Sequence, residues 1–146
     1  MTIQLRNVSS DDLPIFFEQQ LNKEANHMAA FTTKHPEDRK VFDAHWDKFL
    51  ADESILNKTI LYEGQVAGHI ASFIMFNQRN VSYWLGKEFW GKGIATAALN
   101  EFLTSDTVRP LYGRAVKDNL ASIRVLEKCG FKVSGYDKDF ANGRGE

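Results

Sequence analysis

Ile3, Leu5 and Asn7 alternate with Gln4, Arg6 and Val8, and this period of two predicts a short first strand. Ser9 or Ser10 is placed to cap a helix from Asp11 to about Leu21. The stretch Asn22 to Lys34 shows no period, so no regular element is predicted there. His35-Pro36 is expected to open a second helix, with Pro36 in the first turn where its missing N–H costs nothing. Val41, Phe42, His45, Trp46, Phe49 and Leu50 then share one helical face. Ser54–Tyr62 and Gln65–Phe76 are β-rich runs split by the turn pair Glu63-Gly64. The second run is apolar on both faces and reads as a central strand. A turn at Asn77–Asn80 leads to a third strand, Val81–Leu85. Beyond it lie a glycine-bearing loop, Gly86–Gly93, and a helix marked by Ile94, Ala97, Ala98 and Phe102. Pro110–Lys117 reads as a strand, Asn119–Cys129 as a helix stopped by Gly130, and Phe131–Phe140 as a last strand. The order is β-α-α-β-β-β-α-β-α-β, which describes one α/β (α+β) domain over residues 1–146 with a largely antiparallel sheet.

Composition narrows the function. The chain has 146 residues, 43% hydrophobic and 25% charged, enough apolar material for one core without staples. Eighteen basic and nineteen acidic residues leave a net charge of -1, which argues against nucleic acid or an anionic membrane as partner. Cys129 is the one cysteine, so no internal disulfide can form, and no zinc-ligand spacing is present. The start, MTIQLRNVSS, lacks the basic and apolar regions of a secretion signal, and no run approaches the ~20 apolar residues that span a bilayer. These features predict a soluble, cytoplasmic protein that needs no metal.

The informative stretch is YWLGKEFWGKGIATAAL, Tyr83 to Leu99, which runs strand, glycine loop, helix. Such a junction presents backbone N–H groups at a helix N-terminus, where the dipole also favours an anion. Glycines let the backbone approach a diphosphate without Cβ clashes. A Walker A loop fits Gly86, Gly91 and Lys92, but Gly93 stands where the magnesium-binding hydroxyl belongs. A Rossmann fingerprint fails at Thr96, its last position. The segment Trp90-Gly91-Lys92-Gly93-Ile94-Ala95 resembles instead the acetyl-CoA pyrophosphate loop of the GNAT superfamily, [RQ]-x-x-G-x-[GA], with Trp90 departing from the usual Arg or Gln. A second block, Asn119-Leu120-Ala121-Ser122 followed by Val125 to Phe131, resembles the N-x-x-S-x-x-x-x-E-K-x-G-F of the ribosomal-protein N-terminal acetyltransferase branch. Glycines before a helix alone are often only a turn; two blocks in order carry the resemblance.

The resemblance implies acetyl-CoA as cosubstrate, a primary amine as acceptor (a protein N-terminus or a small amine), and direct attack of the amine on the thioester. It implies cofactor contacts from Trp84, Leu85, Gly86, Trp90, Gly91, Lys92, Gly93, Ile94, Ala95, Thr96 and Asn119, mostly through backbone. In many relatives a tyrosine just before the Glu of the second block serves the leaving thiolate; here that position is Leu126. In the branch resembled, the serine of N-x-x-S approaches the sulfur, which makes Ser122 the catalytic candidate. Equally, Ser122 reads as an ordinary first-turn serine and Asn119 as a plain helix cap. The base is open among His27, His69, Glu88, Asp137 and a bound water. Cys129 before Gly130 reads as packed rather than nucleophilic.

Two other functions fit parts of the pattern. A non-catalytic acyl-CoA-binding sensor of the same fold accords with the missing tyrosine and the unassigned base. A phosphate-loop nucleotide hydrolase is opposed by Gly93 and the strand order. The acceptor wall is expected from EANHMAAFTTK, after the first helix. GNAT folds usually close with a strand pair, and the sequence ends at Glu146 where a partner to Phe131–Phe140 would begin. The expectation is therefore a missing closing strand, supplied by a longer chain or by homodimerisation through strand addition or exchange.

Overall fold

The computed structural model describes residues 2–136 and 141–145. A five-stranded sheet in sequential order, β1 to β5, forms the centre: β1 Ile3–Asn7, β2 Leu56–Tyr62, β3 Gln65–Met75, β4 Gln78–Leu85 and β5 Tyr112–Gly113. The first four pair antiparallel, and β5 joins β4 in parallel. The helices are α1 Leu13–Gln20, α2 Lys23–Ala29, α3 Arg39–Ala51, α4 Ile94–Ser105 and α5 Leu120–Lys128. This is the mixed, largely antiparallel sheet flanked by helices that the pattern predicts.

The sheet has two differently built faces. On one, Ile60, Ile70, Val81 and Leu85 pack against Ile94, Ala98, Leu99 and Phe102 of α4, all buried. Leu126 of α5 reaches the same core; its side chain lies over Gly113, where any Cβ would meet Leu126 Cδ2 at 2.6 Å. On the other face aromatic rings dominate. Phe16 of α1 stacks near Trp46 of α3 at 5.3 Å between centroids, and both approach the His69 imidazole, at 4.7 and 5.1 Å. Phe42 and Phe49 extend this cluster through Trp46.

A buried ion pair pins the N-terminal turn to the sheet. Asp12 is 2% exposed and takes bidentate hydrogen bonds from Arg6, one from the Ser9 N–H and one from the Thr59 hydroxyl at 2.7 Å. Burial alone would raise the Asp12 carboxyl, but these donors outweigh it and hold it at about 2.

Several elements differ from the sequence expectation. Asn22–Lys34 contains a helix, α2, set by chemistry rather than periodicity: the Asn22 side chain caps the Ala25 N–H, and Asn26 Nδ2 donates to the carbonyls of Gln20 and Asn22. Seven residues are too few to print a helical period. The following helix begins at Arg39, not at Pro36. Asp38 caps it by accepting from the Lys40 and Val41 N–H groups, and His35 to Asp38 closes a turn instead. The expected turn at Asn77–Asn80 is shorter, because Phe76 and Asn77 both adopt positive φ and β4 starts at Gln78. Pro110–Lys117 contributes only Tyr112–Gly113 as strand. The expected strand Phe131–Phe140 is not formed over Phe131–Tyr136, and its remainder lies outside the described residues. With β5 only two residues long, no ladder is available for those residues to extend. Ala141–Gly145 instead folds back on α2: the Gly143 N–H donates to the Ala30 carbonyl, and a Cβ on Gly143 would sit 2.0 Å from the Asn26 oxygen. No helix among the described residues is long and apolar enough to cross a membrane.

Candidate acetyl-CoA site

The two edges of β4 are unlike. Against β3 it pairs over its whole length, Gln78–Leu85 with Gly68–Met75. Against β5 it pairs only at Asn80 and Val81, so the edge from Ser82 to Leu85 has no strand beside it among the described residues. Which groups face this opening follows from strand alternation. The Gly86 N–H donates to the Ala67 carbonyl and the Trp84 carbonyl lies against Gly68, so these groups face β3, while the Gly86 carbonyl accepts from the Phe89 N–H. Tyr83 and Leu85 therefore turn their backbone polar groups to the opening. Of the residues expected to offer backbone contacts, Trp84 thus faces β3 and Leu85 faces the opening, as Tyr83 also does.

The loop after β4 is held by Trp90, whose indole Nε1 donates to the Leu85 carbonyl at 3.1 Å and whose backbone N–H donates to Lys87. Trp90 is thus a bracket that ties loop to strand, with both of its donors used. Gly91 and Gly93 follow at φ +73° and +77°, left-handed conformations in which glycine pays no steric cost. They turn the chain into α4, where Gly93 is the cap residue and no side chain caps the helix. The first backbone donor of this turn with an acceptor is the Ala97 N–H, bonded to Gly93. Among the described residues, the N–H groups of Gly91, Lys92, Gly93, Ile94, Ala95 and Thr96 make no hydrogen bond. Nothing lies within 4 Å of where a Cβ on Gly91 or Gly93 would sit. The Lys92 ammonium rests over the Tyr62 ring at 5.7 Å from its centroid. Unbonded backbone N–H groups at the N-terminus of a twelve-residue helix are a setting that favours an anion.

Across the opening stands the first turn of α5. The Asn119 side chain accepts from the Ser122 N–H at 3.2 Å and donates to the Met28 carbonyl of α2 at 3.1 Å. It caps α5 and ties it to α2. A second tie comes from Arg144, which grips Asp118 bidentately at 2.6 and 2.8 Å and donates to the His27 carbonyl. Ser122 Oγ lies 2.9 Å from the phenolic oxygen of Tyr83, which reaches over from β4. Burial pushes the Tyr83 phenol above its ordinary range, with Ser122 pulling the other way and Cys129 adding to the rise. Cys129 itself is turned away, its thiol donating to the Thr96 carbonyl at 3.6 Å, and burial raises it.

The base candidates scatter. His69 sits on the aromatic face, opposite Tyr83 and Ser122, and burial followed by the nearby His45 lowers it to about 4. His27 is exposed on α2, and Glu88 is exposed in the loop. Asp137 lies outside the described residues. No group of three or more His, Cys, Asp or Glu among the described residues is placed to hold a metal ion. The residue that sequence reasoning passed over is Tyr83. Its parity with Val81 and Leu85 gives its face, but its Ser122 partner is visible only in three dimensions.

A half-paired sheet edge, a glycine turn and a helix without a side-chain cap thus follow one another in a single α/β domain. Residues 2–132 match the Acetyltransferase (GNAT) domain, and the chain belongs to that family. It is 31% identical over 114 residues to "Putative ribosomal N-acetyltransferase YdaF" of Bacillus subtilis (strain 168), an alignment covering 72% of this chain and 62% of that protein. The chain therefore spans about three fifths of that relative's length. Among solved structures, it superposes with a TM-score of 0.80 on spermidine N-acetyltransferase from Vibrio cholerae in complex with CoA and spermine, at 19% identity over 98% of this chain and 89% of that one. It superposes with a TM-score of 0.79 on RimL, a ribosomal L7/L12 alpha-N-protein acetyltransferase in complex with coenzyme A, at 19% identity over 92% and 82%. These two structures speak to the fold.

Proposed function

We propose that this chain is an acetyl-CoA-dependent N-acetyltransferase that moves an acetyl group to a primary amine. The observation that carries the reading is the run of six backbone N–H groups, Gly91 to Thr96, without acceptors at the start of α4. Each such donor to a charged oxygen is worth ~1.5–3 kcal/mol, so a few of them hold a diphosphate without a cationic cluster. The open edge of β4 continues from that cradle and offers Tyr83 and the Leu85 N–H to the amides of a pantetheine arm. It ends beside Ser122, which the Asn119 cap holds in place. Ser122 is then the group that meets the departing sulfur; Leu126, a hydrocarbon side chain packed over Gly113, has no proton to offer. Acetyl-CoA supplies the activated acyl group when bound. The protein positions it, presents donors to developing negative charge and excludes competing geometry. Water takes the acceptor's proton, with His69 engaged on the aromatic face and His27 and Glu88 exposed to solvent.

The acceptor is an amine of the kind named for the relatives: a protein N-terminus, a polyamine or an aminoglycoside. Its wall is α2, which Asn119 and Arg144 couple to the Ser122 turn. The test is acetyl transfer from acetyl-CoA to a panel of peptide N-termini, spermidine, amino acids and aminoglycosides, read by mass spectrometry. A mass gain of one acetyl group on one class identifies the acceptor. Tight acetyl-CoA binding with no transfer to any member would favour a sensor on the same fold.

A further inference from the structure

Resting on that reading, we infer that Tyr83 is a positioning residue for the leaving group: its phenol donates to Ser122 Oγ, so that the Ser122 hydroxyl proton is left to donate to the thioester sulfur. The family's usual tyrosine would come from α5, where this chain has Leu126. Here a phenol from β4 reaches Ser122, one helical turn before Leu126 on α5. The side chain follows from strand parity, because Tyr83 shares its face with Val81 and Leu85, which are buried against α4.

The direction of the hydrogen bond decides what it does. Either oxygen of the 2.9 Å pair is able to donate. Burial keeps the phenol protonated throughout the working range, and a phenol is the more acidic of the two hydroxyls. Tyr83 O–H therefore donates and Ser122 Oγ accepts. The backbone of Ser122 is fixed independently by Asn119, so the only freedom left to its hydroxyl is the direction of its own hydrogen. With one of its two lone pairs accepting from Tyr83, the Ser122 hydrogen is directed away from the phenol, and it becomes a better donor because hydrogen bonds in a chain polarise one another. The titratable group beside the pair on α5 is Cys129, whose thiol is protonated and bonded to Thr96, so it neither competes for Ser122 nor supplies charge. No bond is made or broken at Tyr83. The thioester C–S pair of electrons leaves on sulfur, Ser122 donates a hydrogen bond to it, and water later supplies the proton of the free thiol.

The contact is tested without knowing the acceptor, using CoA itself. The thiol of CoA bound to the wild-type chain is titrated by thiolate ultraviolet absorption and compared with Tyr83→Phe, Ser122→Ala and the double variant; calorimetry with CoA and thermal melting accompany each. Donation to sulfur stabilises the thiolate, so the bound thiol should titrate lower in the wild type than in Tyr83→Phe, by about tenfold in ionised fraction. Ser122→Ala should give the same rise, and the double variant no more, while CoA affinity at neutral pH stays within a few-fold. A Tyr83→Phe protein that binds CoA and titrates like the wild type overturns the role of Tyr83, as does full additivity of the two single changes. Should the wild type fail to bind CoA in calorimetry, the acetyl-CoA reading falls first and this inference with it. Ser122→Ala approaches the same contact from α5 and keeps the test open if Tyr83→Phe fails to fold.

Discussion

β4 has one edge paired along its whole length and one that, among the described residues, is paired only at Asn80 and Val81. Its eight residues pair with β3 throughout, and that ladder is tight enough for a Cβ on Gly68 to collide with the Trp84 carbonyl at 1.9 Å. Its other edge loses its partner after Val81, and everything the proposed chemistry uses gathers there: Tyr83, the Leu85 N–H, the glycine turn and Ser122. An open edge ordinarily invites aggregation. Here the Trp90 indole already occupies the Leu85 carbonyl, so the gap is part-closed by the loop that bears the anion cradle. Along this edge Tyr83 and Leu85 face outward, and in the proposed function their free groups serve the pantetheine arm.

Substitutions should separate the two edges. Gly68→Val forces a side chain into the β3–β4 ladder and is expected to cost about 3 kcal/mol or more, read by urea denaturation. An unchanged midpoint would mean that the ladder is looser than described. The acid limb of stability comes next. Asp12 is held at about 2 in the fold, below its unfolded value, so its contribution is complete above about pH 4 and is lost as pH falls through 2. It amounts to roughly 2 kcal/mol, and Asp12→Asn should flatten that part of a stability profile. His69 acts in a separate window: lowered to about 4, it lets stability fall as pH drops from about 6.5 to 4, because only the unfolded chain takes up its proton there. His69→Gln should remove that slope while leaving the Asp12 step. Asn119→Ala removes the α5 cap and the tie to α2, and should cost about 1 kcal/mol in melting experiments. On the open edge that modest loss should be accompanied by a larger fall in acetylation rate, since Ser122 loses its anchor. Parallel losses of stability and rate would count against a division of labour between the edges.

The sequence exposed this site unevenly, for physical reasons. The cradle was legible because its function lies in backbone, and backbone demands leave glycine at fixed places, Gly91 and Gly93, before a helix. Asn119 and Ser122 entered through the resemblance of their block to N-x-x-S, and Asn119 is seen to cap α5. The first strand was read from its alternation and the next from β-rich runs, although Asp38 outcompeted Pro36 as a helix start and Phe76-Asn77 made a tighter turn than the polar run suggested. What was hidden was non-local. Trp90 looked like a deviant motif position and is a strand-to-loop bracket. Which backbone groups of Trp84 and Gly86 face β3 was likewise invisible before the ladder was known. Tyr83 finds its partner 39 residues away, and Arg144 finds Asp118 at a separation of 26. The strand expected over Phe131–Phe140 failed across Phe131–Tyr136 because β-propensity says nothing about whether a neighbour is present to pair with.

The central claim is that the backbone at the start of α4 binds the diphosphate of acetyl-CoA. Calorimetry with acetyl-CoA on the wild type and on Gly93→Asp tests it most directly. The position is left-handed, which Asp tolerates better than most residues, and its Cβ meets open space, so the variant should fold with a melting temperature close to the wild type's. A carboxylate at the mouth of the cradle repels phosphate and obstructs the donors, and affinity should fall by ~100-fold. Equal affinity in a folded Gly93→Asp protein would contradict the account.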